Sequence, residues 1–194
     1  MPLVVIIVGP IGSGKSTVSR ALATRLRLSG RVVAVIDFDA IVAMIGGFEQ
    51  LRAYTSHAQP GNSAASSPDW LKAAREVHGR LVGCWSSHGA DVVVHGPFAS
   101  AEEEEPFLQE LPAGIKLRRL RLTVSYEVAL NRVVKDETPR NLSRNPAFLR
   151  AAHYHVAAME AFLPEADWTF DTEAISADEV AAVVEPILLA DAAT

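Results

Sequence analysis

Only one cysteine, Cys84, stands in the 194 residues, so no disulfide can close within the chain and a reducing cytoplasm is the expected setting. Positive charge is also in short supply. The 18 Lys and Arg residues against 23 Asp and Glu leave a net charge of -5, which excludes the basic footprint of a nucleic-acid binder. Lysine itself is confined to Lys15, Lys72, Lys116 and Lys135. No apolar run approaches the roughly 20 residues that span a bilayer, and the first one, Leu3 to Val8, lacks a basic flank, so neither a membrane helix nor a signal peptide is expected. Nothing resembling an interdomain linker interrupts the chain. With 49% hydrophobic residues it is expected to form a single domain over residues 1–194, a monomer or homodimer whose partner is a small molecule rather than nucleic acid or membrane. Neither an N-K-x-D guanine signature nor an LSGGQ-like stretch occurs, which weighs against a nucleotide-dependent regulatory switch.

What is there is one dense motif. Gly9-Pro10-Ile11-Gly12-Ser13-Gly14-Lys15-Ser16-Thr17 fits G-x-x-x-x-G-K-[ST] and follows a β-branched run, Leu3 to Val8, that reads as a buried strand. After it, Val18, Ala21, Leu22 and Leu26 recur at helical spacing, which completes the strand, loop and helix that the motif requires. Gly9, Gly12 and Gly14 let the backbone turn tightly and aim N–H groups, that of Ser13 included, into one concavity at the positive end of the helix. Polyphosphate suits that concavity. Lys15 is placed to reach the β- and γ-phosphates, and the Ser16 hydroxyl to ligate Mg²⁺.

The first helix should end at Ser29-Gly30, and Arg31 to Ile36 reads as a second buried strand stopping at Asp37-Phe38-Asp39. Two carboxylates at a strand's C-terminal end lie where open α/β sheets bind ligands. One of them then supports Mg²⁺ or takes a proton and the other meets an acceptor hydroxyl; alternatively Asp39 caps a helix over residues 40–45 and Asp37 is a solvated loop acid. Gly46-Gly47 breaks that helix, and a substrate-side insertion is expected around residues 46–68, rich in Ser, Gly, Pro and Ala. A helix follows Ser67-Pro68, with Trp70, Leu71, Ala74, Val77, Leu81 and Trp85 as its apolar stripe. Arg75 and His78 lie near the stripe and either face an acceptor pocket or are a satisfied helical arginine and a surface histidine; His57 and Trp70 have the same status.

Asp91 to His95 is the third strand, and Glu102 to Glu105 reads as the first turn of a helix. A fourth strand over residues 115–123 leads to an N-cap at Ser125 and a helix that Pro139 ends. A polar segment, Asp136 to Asn145, carries Arg140 and Arg144. Two arginines between helices read as a lid around residues 136–146 that neutralises transferred charge, or as an ordinary solvated loop. The next helix starts at Pro146 with Phe148, Ala152, Val156, Met159 and Phe162 on one face. His153 and His155, two apart on it, point to different sides and are not read as metal ligands. Asp167 to Asp171 is the fifth strand, the Thr172 to Ile175 loop lies on the ligand edge, and Ser176 and Glu179 form a capping box.

Assembled, the motif and element order resemble the small phosphate-loop kinases of the nucleoside-monophosphate-kinase-like fold, among them shikimate kinase, gluconate kinase and chloramphenicol phosphotransferase. The resemblance implies a three-layer α/β/α fold with a five-stranded parallel sheet in the order 2-3-1-4-5, and ATP and Mg²⁺ as cofactors. It implies an Mg²⁺ and acceptor role for Asp37 and a substrate role for Asp39. It also implies lid arginines at Arg140 and Arg144, an arginine against adenine at Arg132, and an adenine-contacting loop from Asp171-Thr172 onward. His95 stands where many phosphate-loop enzymes have an acid. The reading that follows is transfer of the γ-phosphate of Mg-ATP to a hydroxyl group, catalytic residues Lys15, Asp37, Arg140 and Arg144. The nucleotide site would be Gly9, Gly12, Ser13, Gly14, Lys15, Ser16, Thr17, Arg132 and Thr172; Asp39 and Arg75 would serve the acceptor, and Ser16 and Asp37 the metal. The alternatives are a nucleotide kinase, for which Arg52 and Arg75 are the candidate phosphate-binding pair, and a non-transferring ATPase or switch.

Overall fold

The structure, a computed structural model, describes residues 1–44, 69–96, 98, 100–135, 146–158 and 162–192. The expected insertion, Gly46-Gly47, Arg52, His57, Arg140 and Arg144 therefore lie outside the described residues.

Five strands form one parallel sheet: β1 (Leu3–Val8), β2 (Val33–Asp37), β3 (Asp91–His95), β4 (Lys116–Thr123) and β5 (Trp168–Asp171). Their order is β2-β3-β1-β4-β5, as the resemblance implies. The helices are α1 (Lys15–Leu28), α2 (Phe38–Met44), α3 (Asp69–Ser87), α4 (Ala101–Leu108), α5 (Tyr126–Lys135), α6 (Pro146–Ala158) and α7 (Ala177–Ala192).

Strand alternation builds the three layers. On β1, Leu3, Val5 and Ile7 face a core shared with Leu22 and Leu26 of α1 and Val184 and Leu188 of α7, whereas Val4, Ile6 and Val8 face Val82, Phe98 and Phe107 on the other side. Each residue of β1 is buried, as a central parallel strand covered on both faces should be. A smaller cluster packs Phe38, Ile41 and Val42 of α2 against Leu71 and Ala74 of α3.

Four expectations need correction. The second strand starts at Val33 rather than Arg31, because the Arg31 N–H is taken by the Leu26 carbonyl at 3.0 Å in closing α1, while its guanidinium bonds both carboxylate oxygens of Asp91 at 2.7 Å. Strand β2 includes Asp37 and runs into α2 without a connecting residue, so the helix opens at Phe38 and its N-terminal acceptor is Asp37, whose Oδ1 takes the Asp39 N–H at 2.9 Å. On α3 the expected stripe is wrong in part: Val77, Leu81 and Trp85 are 46%, 39% and 50% exposed, and the buried face carries Leu71, Ala74, Arg75, His78, Gly79, Val82, Gly83 and Ser86. The reason is backbone proximity. A Cβ on Gly79 would lie 2.4 Å from the Phe107 carbonyl oxygen, and one on Gly83 2.8 Å from that of Glu110, so α4 and the turn after it sit directly on the glycine face. Phe162, read on one apolar face with Phe148 and Ala152, is exposed.

Two caps follow the expected pattern. Ser176 and Glu179 form the reciprocal box, with Glu179 Oε2 accepting from Ser176 N at 2.8 Å and Ser176 Oγ from Glu179 N at 3.3 Å. Ser125 Oγ accepts from Val128 N at 3.4 Å at the start of α5.

Candidate active site

The loop between β1 and α1 has its glycines where the sequence requires them, but the Ser13 N–H, expected to face the phosphates, closes a turn by donating to the Pro10 carbonyl at 3.2 Å. Gly9, Gly12 and Gly14 have φ of 155°, 81° and 87°, and at Gly12 a Cβ would come within 2.9 Å of Ala129 on α5, so that position admits only glycine without displacement. Gly14 stands at the N-cap of α1 with no side-chain cap, and no acidic residue occupies the first turn. The positive end of a 14-residue helix is thus kept clear of protein carboxylates, which is the electrostatic condition for a bound anion. Lys15 Nζ donates to the carbonyls of Gly9 at 2.8 Å and Pro10 at 2.9 Å, so the ammonium lies across the loop. Ser13 is fully buried, and its hydroxyl has no hydrogen-bond partner among the described residues. These features fit a polyphosphate group.

On one side of the loop, Arg132 of α5 and Thr172 after β5 come together. Arg132 donates to the Gly12 carbonyl at 3.2 Å and to Thr172 Oγ1 at 2.9 Å, and Thr172 Oγ1 donates to the Thr123 carbonyl at 3.1 Å. Residues 40 apart in sequence thus form one wall beside Gly12.

On the other side lie the carboxylates. Asp37 and His95 are partners across β2 and β3, with His95 Nδ1 3.5 Å from Asp37 Oδ1. The contacts of Asp37 with His95 and with the Asp39 N–H both fall on Oδ1. Because β3 stands between β2 and β1, Asp37 is two strand spacings, about 9.5 Å, from the strand that carries the loop. Asp39 is exposed in the first turn of α2. Arg75 is buried on α3, and its guanidinium meets Glu103 Oε2 at 3.0 Å.

Sequence reasoning missed several groups here. His78, weighed as a surface histidine, is fully buried among Phe38, Phe98 and Phe107, at ring-centroid distances of 5.3, 6.3 and 5.1 Å, and neither ring nitrogen has a partner among the described residues. Burial, with the nearby His95 charge second, pushes its pKa down to about 3. Glu103 and Glu104 lie in the first turn of α4, as read, and in addition hold Arg75 and Arg119, which the sequence did not show. Ser100 caps their helix by accepting from Glu103 N at 3.2 Å. Among the described residues no group of three or more His, Cys, Asp or Glu side chains is placed to hold a metal ion by itself.

A five-stranded parallel sheet in this order, with a glycine-rich loop carrying Lys15 at the head of α1, defines a protein of the P-loop kinase fold. A family model described as AAA domain matches residues 4–163, and the chain belongs to that family. Comparison with curated proteins gives no match. Among solved structures, the chain is similar to an APS kinase from Mycobacterium tuberculosis in complex with AMPPNP and APS, at 18% identity over 96% of this chain and 97% of that one, with a TM-score of 0.64. It is also similar to a sugar kinase from Janibacter sp. HTCC2649, at 16% identity over 97% and 95% of the two chains, with a TM-score of 0.65. Shikimate kinase from Acinetobacter baumannii in complex with shikimate has 19% identity, 98% and 95% coverage and a TM-score of 0.57. Among the described residues, no helix is long and apolar enough to cross a membrane.

Proposed function

We propose that the protein is a phosphotransferase that moves the γ-phosphate of Mg-ATP to a hydroxyl group of a small molecule. One observation carries this reading: Gly9 to Ser16 wraps the uncapped start of α1 with Lys15 across its mouth, at the ligand edge where Asp37 also ends its strand. Similarity to an APS kinase, a shikimate kinase and a sugar kinase adds support for a small-molecule acceptor. Bound Mg-ATP supplies the transferable phosphoryl group.

The residues then divide the work. Lys15 leaves the Gly9 and Pro10 carbonyls to balance charge on the β- and γ-phosphates, and the Ser16 hydroxyl would hold the metal, with Asp37 reaching its water shell. Arg132 and Thr172 would flank the base. Asp37 Oδ2 takes the hydroxyl proton as the acceptor oxygen bonds to phosphorus and the bond to the β-phosphate oxygen breaks. Asp39 would select the acceptor. Catalysis in this arrangement is positioning and charge neutralisation more than covalent chemistry. Incubation with γ-labelled ATP and pooled hydroxylated metabolites or antibiotics tests the reading. Label on a small molecule supports it, whereas label found only as free phosphate favours a non-transferring ATPase.

A further inference from the structure

A phosphate-binding loop that turns N–H groups toward its ligand leaves carbonyls that need donors of their own. Among the described residues, three side chains supply such donors. Lys15 serves Gly9 and Pro10, Arg132 serves Gly12 at 3.2 Å, and His153 Nε2 lies 2.9 Å from the carbonyl oxygen of Ile11. Lys15 and Arg132 already have places in the nucleotide site. His153 does not: it comes from α6, 142 residues from Ile11.

The contact has a defined polarity and a built support. A carbonyl only accepts, so Nε2 must carry the hydrogen. The imidazole meets the Tyr126 ring edge-on, with centroids 5.7 Å apart and planes at 80°. Tyr126 is held in turn by its hydroxyl, which donates to the Pro146 carbonyl at 3.3 Å, and by the Arg150 guanidinium 5.1 Å over its ring. Tyr126 belongs to α5, the helix that also carries Arg132. Helices α5 and α6 therefore grip the loop at two successive carbonyls, Ile11 and Gly12.

We propose that His153 is a positioning residue for nucleotide binding, its Nε2–H holding the Ile11 carbonyl outward and so keeping the loop's amides turned toward the phosphates. The proposal rests on the nucleotide-binding reading above and adds a residue to it. Because it acts through the loop backbone, it should affect ATP and GTP by the same factor.

The test is titration calorimetry of Mg-ATP and Mg-GTP on the full chain with His153→Leu and His153→Gln beside the wild type. Glutamine Nε2 is as many bonds from Cα as histidine Nε2 and also donates; leucine keeps bulk and donates nothing. Loss of one net hydrogen bond should weaken binding about 3- to 10-fold in His153→Leu, with His153→Gln close to wild type. Unchanged affinity in both variants overturns the proposal, and so does equal loss in both, which would assign the effect to ring packing. If the wild type binds no nucleotide at all, the reading beneath it fails first. Wild-type binding with indifferent variants sinks only the role of His153.

Discussion

Replacing His78 by leucine isolates one ionisable group in the middle of an aromatic cluster. The folded protein holds the His78 pKa at about 3 against an ordinary value of 6.5, chiefly by burial. The folded pKa is depressed, so on acidification the unfolded chain takes up the proton first; stability is at its plateau above pH 6.5 and falls as pH drops toward 3. At pH 5 the difference is about 1.5 pH units below the unfolded pKa, or about 2 kcal/mol at 1.36 kcal/mol per unit. With a urea m-value of about 2 kcal/mol/M, that loss lowers the wild-type midpoint by about 1 M between pH 7.5 and 5. His78→Leu should lack this component, and at neutral pH should be at least as stable, because two ring nitrogens without partners are removed. His88→Gln, at an exposed site, is the control and should retain the wild-type slope. The assay is urea unfolding followed by circular dichroism at both pH values. Equal midpoint shifts in wild type and His78→Leu would refute the reasoning.

Lys15→Ala should lower turnover more than about 100-fold, near 3 kcal/mol of transition-state stabilisation, while far-UV circular dichroism stays native; near-normal turnover would remove the loop from catalysis. Asp37→Asn should lower kcat roughly 10²-fold, and because asparagine caps a helix as well as aspartate does, the thermal midpoint should hold. Asp39→Asn should act on KM for the acceptor, seen by varying both substrates; a reversed pattern exchanges their roles. Gly79→Ala should cost about 1–3 kcal/mol by urea unfolding despite alanine's better helix propensity, since its Cβ meets the Phe107 carbonyl at 2.4 Å and backbone cannot step aside cheaply; a neutral result would mean that α3 and α4 part readily.

The elements written in local chemistry were legible. The run Leu3 to Val8, the glycine and lysine spacing after it, and the Ser176/Glu179 box each depend on residues a few positions apart, and each stands as read. The face of α3 was not legible, because hydrophobic periodicity weighs side chains and the contact with α4 is made where Gly79 and Gly83 have none. Polar residues on that face, Arg75 and His78, reinforced the error: what makes them tolerable is Glu103 for one and an aromatic cage for the other, both supplied by distant segments. Asp37 was correctly put at a strand end, but the absence of any linking residue between β2 and α2 placed Asp39 inside the helix and gave the capping role to Asp37. The His153 contact left no signal at all, since nothing local to residue 153 encodes a carbonyl 142 positions earlier.

The double-sided burial of β1 also bears on motion. A strand whose alternate residues belong to two separate cores, bonded to β3 on one edge and β4 on the other, can exchange its amide protons only when most of the domain opens. The near end of the phosphate loop is therefore anchored to the slowest-exchanging part of the chain. Amide exchange along Val4 to Ile7 should report global unfolding, while α5 and α6, which lie outside the sheet and are hydrogen-bonded to the loop by Arg132 and His153, exchange through smaller openings. Conformational freedom around the loop then belongs to the helices beside it, with its strand as the fixed frame against which they move.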